Sequence, residues 1–197
     1  MSLPVLTIGR EFGSGGRIIA RKVAEALQIP FYDRALISMA AEETGLSEDY
    51  VRETEQKPTA SFLYNLYMST QNLPISDQVF LAQSDVIRQV AAKGPCVIVG
   101  RGADYVLRDQ AGCRNLFIHA PLEQRIERAR TVYQVAATNY KAFVLREDKR
   151  RAVYYSRYTG QVWGKVQNYD LTINSGLGLD TATELICSLA QKEDAHE

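Results

Sequence analysis

A glycine-rich loop near the start of this sequence is the segment best suited to chemistry. An apolar run ending at Ile8 leads into Gly9 and then into a run of glycines, arginines and small residues before an amphipathic helix. Such a chain directs several backbone N–H groups and the positive end of the helix toward one point. The pattern predicts a phosphate-binding loop, with an unliganded glycine-rich turn as the alternative. The residues predicted to bind nucleotide phosphates are Arg10, Glu11, Gly13, Ser14, Gly15, Gly16 and Arg17.

The loop departs from the common phosphate-binding sequence G-x-x-x-x-G-K-[ST], in which the lysine contacts the terminal phosphates and the hydroxyl contacts Mg²⁺. Aligned on its glycines, Arg10 takes the place of the first glycine, Gly16 that of the lysine and Arg17 that of the hydroxyl residue. We expect Arg17 to substitute electrostatically for the lysine, although it lies one position later. Glu11 offers a carboxylate to Mg²⁺, and the metal ligands stay unassigned.

A second arginine lies at the end of another predicted strand. Arg101 stands between two glycines directly after the apolar run 96–99. Ligands of parallel α/β sheets gather at the carboxyl ends of the strands, so this arginine is placed to reach into a cleft. The alternative is an arginine paired with a structural carboxylate.

A third set of arginines lies in a predicted helix. Arg146, Arg150 and Arg157 fall near one helical face, with Lys149 and Arg151 between them. This face is able to close over a polyphosphate and neutralise charge on a transferring phosphoryl group. A solvated helix is the alternative. The mixed-sign group Arg125, Arg128 and Arg130 is predicted to be an ordinary exposed surface.

The composition limits the number of domains, the kinds of partner and the kinds of catalytic site that the chain can have. A chain of 197 residues suits one α/β domain, and 23 basic against 23 acidic residues give no global charge that favours nucleic acid or a membrane surface. Two histidines and three widely spaced cysteines make a histidine metal site or a Ser-His-Asp triad improbable. No apolar run approaches the ~20 residues that span a bilayer, and we expect a cytoplasmic protein with reduced thiols.

Short apolar runs alternate with helical patterns along the chain. We expect strands at 4–9, 31–32, 96–99, 116–120 and 171–174, and helices at 15–27, 34–43, from a Ser76 cap to Gly94, after Pro121 and at 181–191. This alternation predicts a parallel sheet with helices on both faces.

Five separated motifs resemble the cytidylate kinase-like family, relatives of bacterial cytidylate kinase in the P-loop nucleoside monophosphate kinase fold. They follow the family's order and cover nearly the whole chain: the N-terminal GREFGSGGR, Phe31-Tyr32-Asp33, Val99-Gly100-Arg101-Gly102, the DKRR at 148–151 with its tyrosines, and Asn168-Tyr169-Asp170-Leu171.

The resemblance implies one P-loop kinase-like domain over residues 1–197 with the three-layer α/β fold of P-loop NTPases. Its five-stranded parallel sheet, flanked by helices, carries a helical monophosphate-binding insertion at about 33–75 and an arginine-bearing lid at about 140–165. ATP occupies the loop, with Mg²⁺ as the expected metal. Asp33, Arg101 and Asp170 face the acceptor. The catalytic set is Arg17, Arg150 and Arg157, and the lid carries Arg146, Lys149, Arg150 and Arg151.

The expected activity is transfer of the γ-phosphate of ATP to a nucleoside monophosphate, with CMP or dCMP as the acceptor. Two alternatives stay open. Loss of the loop lysine favours a non-catalytic nucleotide-binding or sensing domain, and a different acceptor pocket would give a kinase for another small metabolite. The expected partners are small nucleotides, with neither nucleic acid nor membrane. The aromatic segment 62–68 suits a cleft wall or a homodimer surface equally well.

Overall fold

The computed structural model describes residues 3–33, 35–45, 47–49 and 74–192. Five parallel strands form one sheet in the order β2-β3-β1-β4-β5. The strands are β1 Val5–Arg10, β2 Phe31–Tyr32, β3 Val97–Val99, β4 Cys113–His119 and β5 Leu171–Asn174. The five-stranded parallel sheet expected from the sequence is confirmed.

Helices lie on both faces of this sheet. In chain order they are α1 Gly16–Leu27, α2 Ala35–Thr44, α3 Ile75–Ala92, α4 Ala103–Val106, α5 Leu122–Thr131, α6 Tyr140–Thr159 and α7 Leu179–Ala190, with short 3-10 turns at Val166–Asn168 and Ser175–Leu177. The expected Ser76 cap is wrong, because Pro74 takes the N-cap position and Ser76 lies inside the first turn of α3.

Alternating strand residues divide the core into two layers. Leu6, Ile8 and Ile118 pack with α1 and α7 on one face of the sheet. Ile98 and Val5 pack with α2, α3 and α4 on the other face. Strands covered on both sides by helices are apolar throughout, which is why the runs at 97–99 and 116–118 read as continuous hydrophobic segments.

Helix α6 has clear signals at both ends. The side chain of Asn139 accepts a hydrogen bond from Ala142 N–H at 2.9 Å, and Gly160 adopts φ +69° after the last turn. A polar N-cap and a left-handed glycine satisfy the unpaired backbone groups at the two ends of a helix. The predicted end of this segment at Gly160 is confirmed.

Part of the proposed acceptor insertion at 33–75 and the aromatic segment 62–68 lie outside the described residues. Among the helices that the structure describes, none is long and apolar enough to cross a membrane.

The central strands should dominate stability. Leu116 is fully buried in β4, whereas Leu177 is 69% exposed. We expect Leu116→Ala to lower the free energy of unfolding by ~2–5 kcal/mol, through lost burial and a residual cavity, and Leu177→Ala to change it by less than ~0.5 kcal/mol. Urea unfolding of both variants measures this, and equal losses would contradict the described core.

Candidate functional site

The loop between β1 and α1 is tight and internally bonded. Glu11 N–H donates to Ile118 O at 3.0 Å, and the buried Ser14 hydroxyl donates to Glu11 O at 2.9 Å while accepting from Gly16 N–H at 3.3 Å. Gly13 has φ +79°, and a Cβ there would lie 2.5 Å from Arg125 O. The loop therefore approaches α5 closely, and its serine hydroxyl is engaged within the loop.

Residues of α5 and α6 hold this loop from outside. Asp148 Oδ1 accepts from Phe12 N–H at 2.6 Å, and its other oxygen pairs with Arg125. Arg128 donates to Gly13 O. The prediction that Arg125 and Arg128 form an exposed surface is wrong, because Arg125 is 6% exposed and both side chains reach the loop; Arg130 alone is exposed, paired with Glu127.

Phe12 anchors the outer side of the loop. Its ring packs edge-on against Tyr133 and Phe143 at centroid distances of 5.8 and 5.4 Å. The guanidinium of Arg151 lies 5.4 Å from the Phe12 ring centroid and donates to Arg10 O at 3.0 Å. Within the DKRR motif, Asp148 and Arg151 thus contact the loop backbone directly.

Asp33 gathers three arginines at the carboxyl edge of the sheet. Its carboxylate is 2.6 Å from Arg17 Nε, 3.7 Å from Arg101 Nη1 and 3.9 Å from Arg10 Nη2. The Asp33 side chain is 8% exposed, so these ionic contacts are screened weakly by solvent. Three guanidinium groups gathered in this way are suited to binding phosphate oxygens.

Arg101 adopts φ +58° between Gly100 at +75° and Gly102 at +65°. A left-handed conformation costs a residue with a side chain roughly 1–2 kcal/mol, and such strain clusters at functional sites. This turn directs the guanidinium of Arg101 toward Asp33.

A cavity opens beside the loop, between the carboxyl ends of β1 and β3 and residues of α6. Four guanidinium groups and four aromatic rings line it together with one buried carboxyl group: Arg10, Arg101, Arg150, Arg151, Tyr154, Tyr155, Trp163, Tyr169 and Asp104. Phe117 supports Trp163 and Tyr169 from behind, at ring-centroid distances of 5.2 and 5.0 Å. The cavity therefore pairs anion-binding groups with flat aromatic surfaces.

Asp104 lies in this cavity and is 8% exposed. Tyr155 Oη lies 2.7 Å from Asp104 Oδ2 and 3.0 Å from Gln161 Oε1. Burial raises the pKa of Asp104, and burial together with the neighbouring Asp104 charge raises the pKa of Tyr155. Nothing in the sequence signals this group, because the tyrosine of α6 that bonds to Asp104 lies 51 residues further along the chain.

The predicted arginines of α6 have separate partners. Arg150 pairs with Glu147 at 2.6 Å and lines the cavity. Arg157 pairs with Asp77 of α3 at 2.9 Å, and it is absent from the cavity lining. Arg146 stacks over Phe143, with 5.1 Å between its guanidinium carbon and the ring centroid, and Lys149 is exposed.

The placement of Asp170 with Asp33 and Arg101 is wrong. Asp170 directly precedes β5, and its carboxylate accepts from Asn115 N–H near the start of β4 at 2.6 Å. β5 and β2 are the outermost strands on opposite sides of the sheet, so Asp170 lies apart from Asp33, which follows β2, and it is not among the residues that line the cavity. Its neighbour Tyr169 lines the cavity instead.

The groups at the loop do not fit a magnesium ion held by protein side chains. Glu11 Oε2 accepts from Ala120 N–H at 3.1 Å and lies 3.4 Å from Arg125 Nε. Arg17 takes the position of the usual hydroxyl ligand. Throughout the described ranges, no three His, Cys, Asp or Glu side chains cluster closely enough to hold a metal.

The sheet order, the glycine-rich loop and its following helix define a P-loop kinase fold. The profile of the Cytidylate kinase-like family matches residues 5–177, and the chain belongs to this family. Membership of the family implies ATP as nucleotide and usually the use of Mg²⁺. No curated protein sequence gives a significant match.

Solved structures agree with this fold. An uncharacterized protein from Eubacterium ventriosum ATCC 27560 is 26% identical with a TM-score of 0.71, over 96% of this chain and 99% of that one. Shikimate kinase from Bacteroides thetaiotaomicron is 12% identical (TM-score 0.58; 97% and 100% covered). A gluconokinase from Sinorhizobium meliloti 1021 is 13% identical (TM-score 0.53; 97% and 96% covered).

Removing the Asp33 charge should expose the repulsion between its three arginines. We expect Asp33→Asn to lower the free energy of unfolding by about 3 kcal/mol in low salt. Inorganic phosphate should recover part of this loss, because it replaces the missing negative charge. Chloride at equal ionic strength should recover less.

The matched control is Asp109→Asn, since Asp109 is 87% exposed and pairs with the neighbouring surface residue Arg108. Chemical unfolding with and without phosphate measures both variants. An Asp33→Asn protein as stable as wild type, or one stabilised by phosphate no more than wild type, would contradict the described charge cluster.

Proposed function

We propose that this protein is a phosphotransferase that moves the γ-phosphate of ATP to a nucleoside monophosphate, with CMP or dCMP as the acceptor. The observation that carries the proposal is the cavity beside the loop, where Arg10 and Arg101 adjoin the aromatic walls formed by Tyr155, Trp163 and Tyr169. Guanidinium groups bind phosphate oxygens in pairs, and aromatic faces bind a nucleobase by stacking. A nucleoside monophosphate offers both features in one molecule.

The position of the two sites supports direct transfer. Arg10 belongs to the end of β1 at the loop and also lines the cavity, so one residue borders both donor and acceptor. Transfer between aligned phosphates needs positioning and neutralisation of charge rather than a covalent enzyme intermediate. Arg101 and Arg150 would hold the acceptor phosphate, and the loop backbone would hold the donor.

Asp104 supports cytosine as the base. A carboxyl oxygen accepts a hydrogen bond from the exocyclic amine of cytosine, whereas uracil presents a carbonyl oxygen at the same place. Because Asp104 is buried, placing its carboxylate against that carbonyl would bring two hydrogen-bond acceptors together without a donor, which is costly. A site built around a buried hydrogen-bonding group rejects ligands that lack the matching partner.

Nucleotide binding without transfer is the second candidate. Two observations favour it. Gly16 stands in the place of the loop lysine, and the Asp148 carboxylate accepts a hydrogen bond from Phe12 N–H, one of the loop's backbone donors. In this case ATP and CMP bind, but no ADP forms in excess over the protein. A coupled assay of ADP formation with CMP, dCMP and UMP, with ATP and Mg²⁺ supplied at saturation, separates the two functions.

Arg101 should serve the acceptor more than the donor. We expect Arg101→Ala to weaken CMP binding at least about tenfold, because a charge-assisted hydrogen bond to phosphate contributes ~1.5–3 kcal/mol, while ATP binding changes by less than about threefold. Titration calorimetry with CMP and with a non-hydrolysable ATP analogue measures both affinities. Equal loss of both would contradict the acceptor role.

Asp104 should set the preference between cytosine and uracil. We expect Asp104→Asn to reduce the ratio of kcat/KM for CMP to that for UMP by about tenfold, because an amide offers both a donor and an acceptor to the base. Asp85→Asn is the matched surface control, since Asp85 is 62% exposed. A ratio unchanged from wild type would remove Asp104 from base recognition.

A further inference from the structure

The most unusual feature of the loop is a glycine that its backbone conformation does not demand. Gly16 is the first residue of α1 and is buried, and its φ lies outside the left-handed region. Glycine inside a helix costs roughly 1 kcal/mol relative to alanine, so its presence calls for a steric reason. The closest atoms belong to the side chain of Arg10: a Cβ on Gly16 would lie 2.6 Å from Arg10 Cβ and 3.1 Å from its Cγ, with Ile118 Cβ next at 3.2 Å.

The other end of Arg10 is equally confined. Its Nη1 atom would lie 1.9 Å from a Cβ on Gly100, at the end of β3. The Arg10 side chain therefore runs from the end of β1, over the start of α1, to the end of β3. There its Nη2 atom lies 3.9 Å from Asp33, with 19% of the side chain exposed.

We propose that Arg10 is the phosphate-binding cation that replaces the missing loop lysine, and that Gly16 makes room for it at the start of α1. Gly100, whose φ of +75° itself favours glycine, leaves the space that the Arg10 guanidinium occupies. The inference rests on the proposed function, because a cation at this place matters only if the loop binds a triphosphate. The positive charge has moved from the helix, where position 16 would carry it, to the end of β1. Relative to the common loop sequence, the glycine and the cation have exchanged positions: Arg10 stands where the first glycine would be, and Gly16 stands where the lysine would be.

Arg17 is less suited to this role than the sequence suggested. Its Nε atom lies 2.6 Å from Asp33 Oδ2, and its side chain is 42% exposed. Arg10 is less exposed, lines the cavity and borders the loop, so its guanidinium lies between the two proposed phosphate sites. The planar fork of an arginine is able to contact two phosphate groups at once, which a lysine ammonium does less well.

Exchanging the glycine and the cation between positions 10 and 16 tests the assignment of Arg10 directly. The four proteins are wild type, Arg10→Gly, Gly16→Lys and the double variant, with affinity for a non-hydrolysable ATP analogue as the first readout and kcat/KM for CMP phosphorylation as the second. Arg10→Gly should lose at least about tenfold in affinity, because it lacks the cation. Gly16→Lys should lose as much, because its side chain collides with Arg10. The double variant should bind at least about tenfold better than either single variant.

Arg130→Ala is the control for loss of an arginine near the loop, since Arg130 is exposed and paired with Glu127. It should bind the ATP analogue like wild type. Thermal melting of each protein identifies variants that fail to fold.

Gly100→Ala gives a second cycle that leaves the loop sequence intact. Alanine at a φ of +75° strains the backbone in both backgrounds, so the difference between the backgrounds reports on Arg10. The loss of ATP-analogue affinity should be at least about tenfold larger in wild type, where the Cβ meets the Arg10 guanidinium, than in the Arg10→Gly background. Additive losses in both cycles would overturn the assignment of Arg10 alone. Absence of any ATP-analogue binding by wild type would instead overturn the proposed function, and the inference with it.

Discussion

The carboxylate of Asp33 is the interaction on which the carboxyl edge of this sheet depends. It draws together guanidinium groups from the end of β1, the first turn of α1 and the end of β3, at distances of 2.6 to 3.9 Å. Without a negative charge between them, three cations in so little solvent would repel one another. The carboxylate keeps them together at the edge of the sheet where the glycine-rich loop begins, and grouped guanidinium groups are suited to an entering phosphate.

Helix α6 connects this charge cluster to the loop and to the cavity. Asp148 and Arg151 bond to backbone groups of the loop, whereas Tyr154 and Tyr155 form part of the cavity wall. Further along the same helix, Arg157 pairs with Asp77, and Tyr158 stacks on Phe80 of α3 with ring centroids 4.2 Å apart. A displacement of α6 would therefore alter the loop backbone and the cavity together, which couples the two proposed nucleotide sites through one rigid element.

Local patterns predicted the sheet and the loop well, because apolar runs, glycines and helix ends depend on nearby residues. Contacts distant in the sequence were harder to foresee. The alternating charges of α5 are as typical of a solvated helix as of a buried one, and only the approach of Asp148, 23 residues later, places Arg125 inside. Asp170 was expected near the acceptor because its motif matched, but β5 is the outermost strand on the side of the sheet opposite to β2, which Asp33 follows.

The common phosphate-binding sequence supplies both a cradle of backbone N–H groups and a cation, whereas a loop without the lysine must take its cation from another position. A cradle of backbone N–H groups requires only small residues before a helix, and this chain retains them. The cation can come from any element that reaches the same point. In the proposed arrangement it is Arg10 at the end of β1. Ile8 of the same strand pairs with Val99 of β3, and Gly100 N–H donates to Ile8 O at 3.1 Å. The strand pairing that fixes the end of β3 therefore also fixes the distance between Arg10 and Arg101. In this arrangement the spacing of the donor-side and acceptor-side cations depends on the rigid sheet, and not on the conformation of the loop.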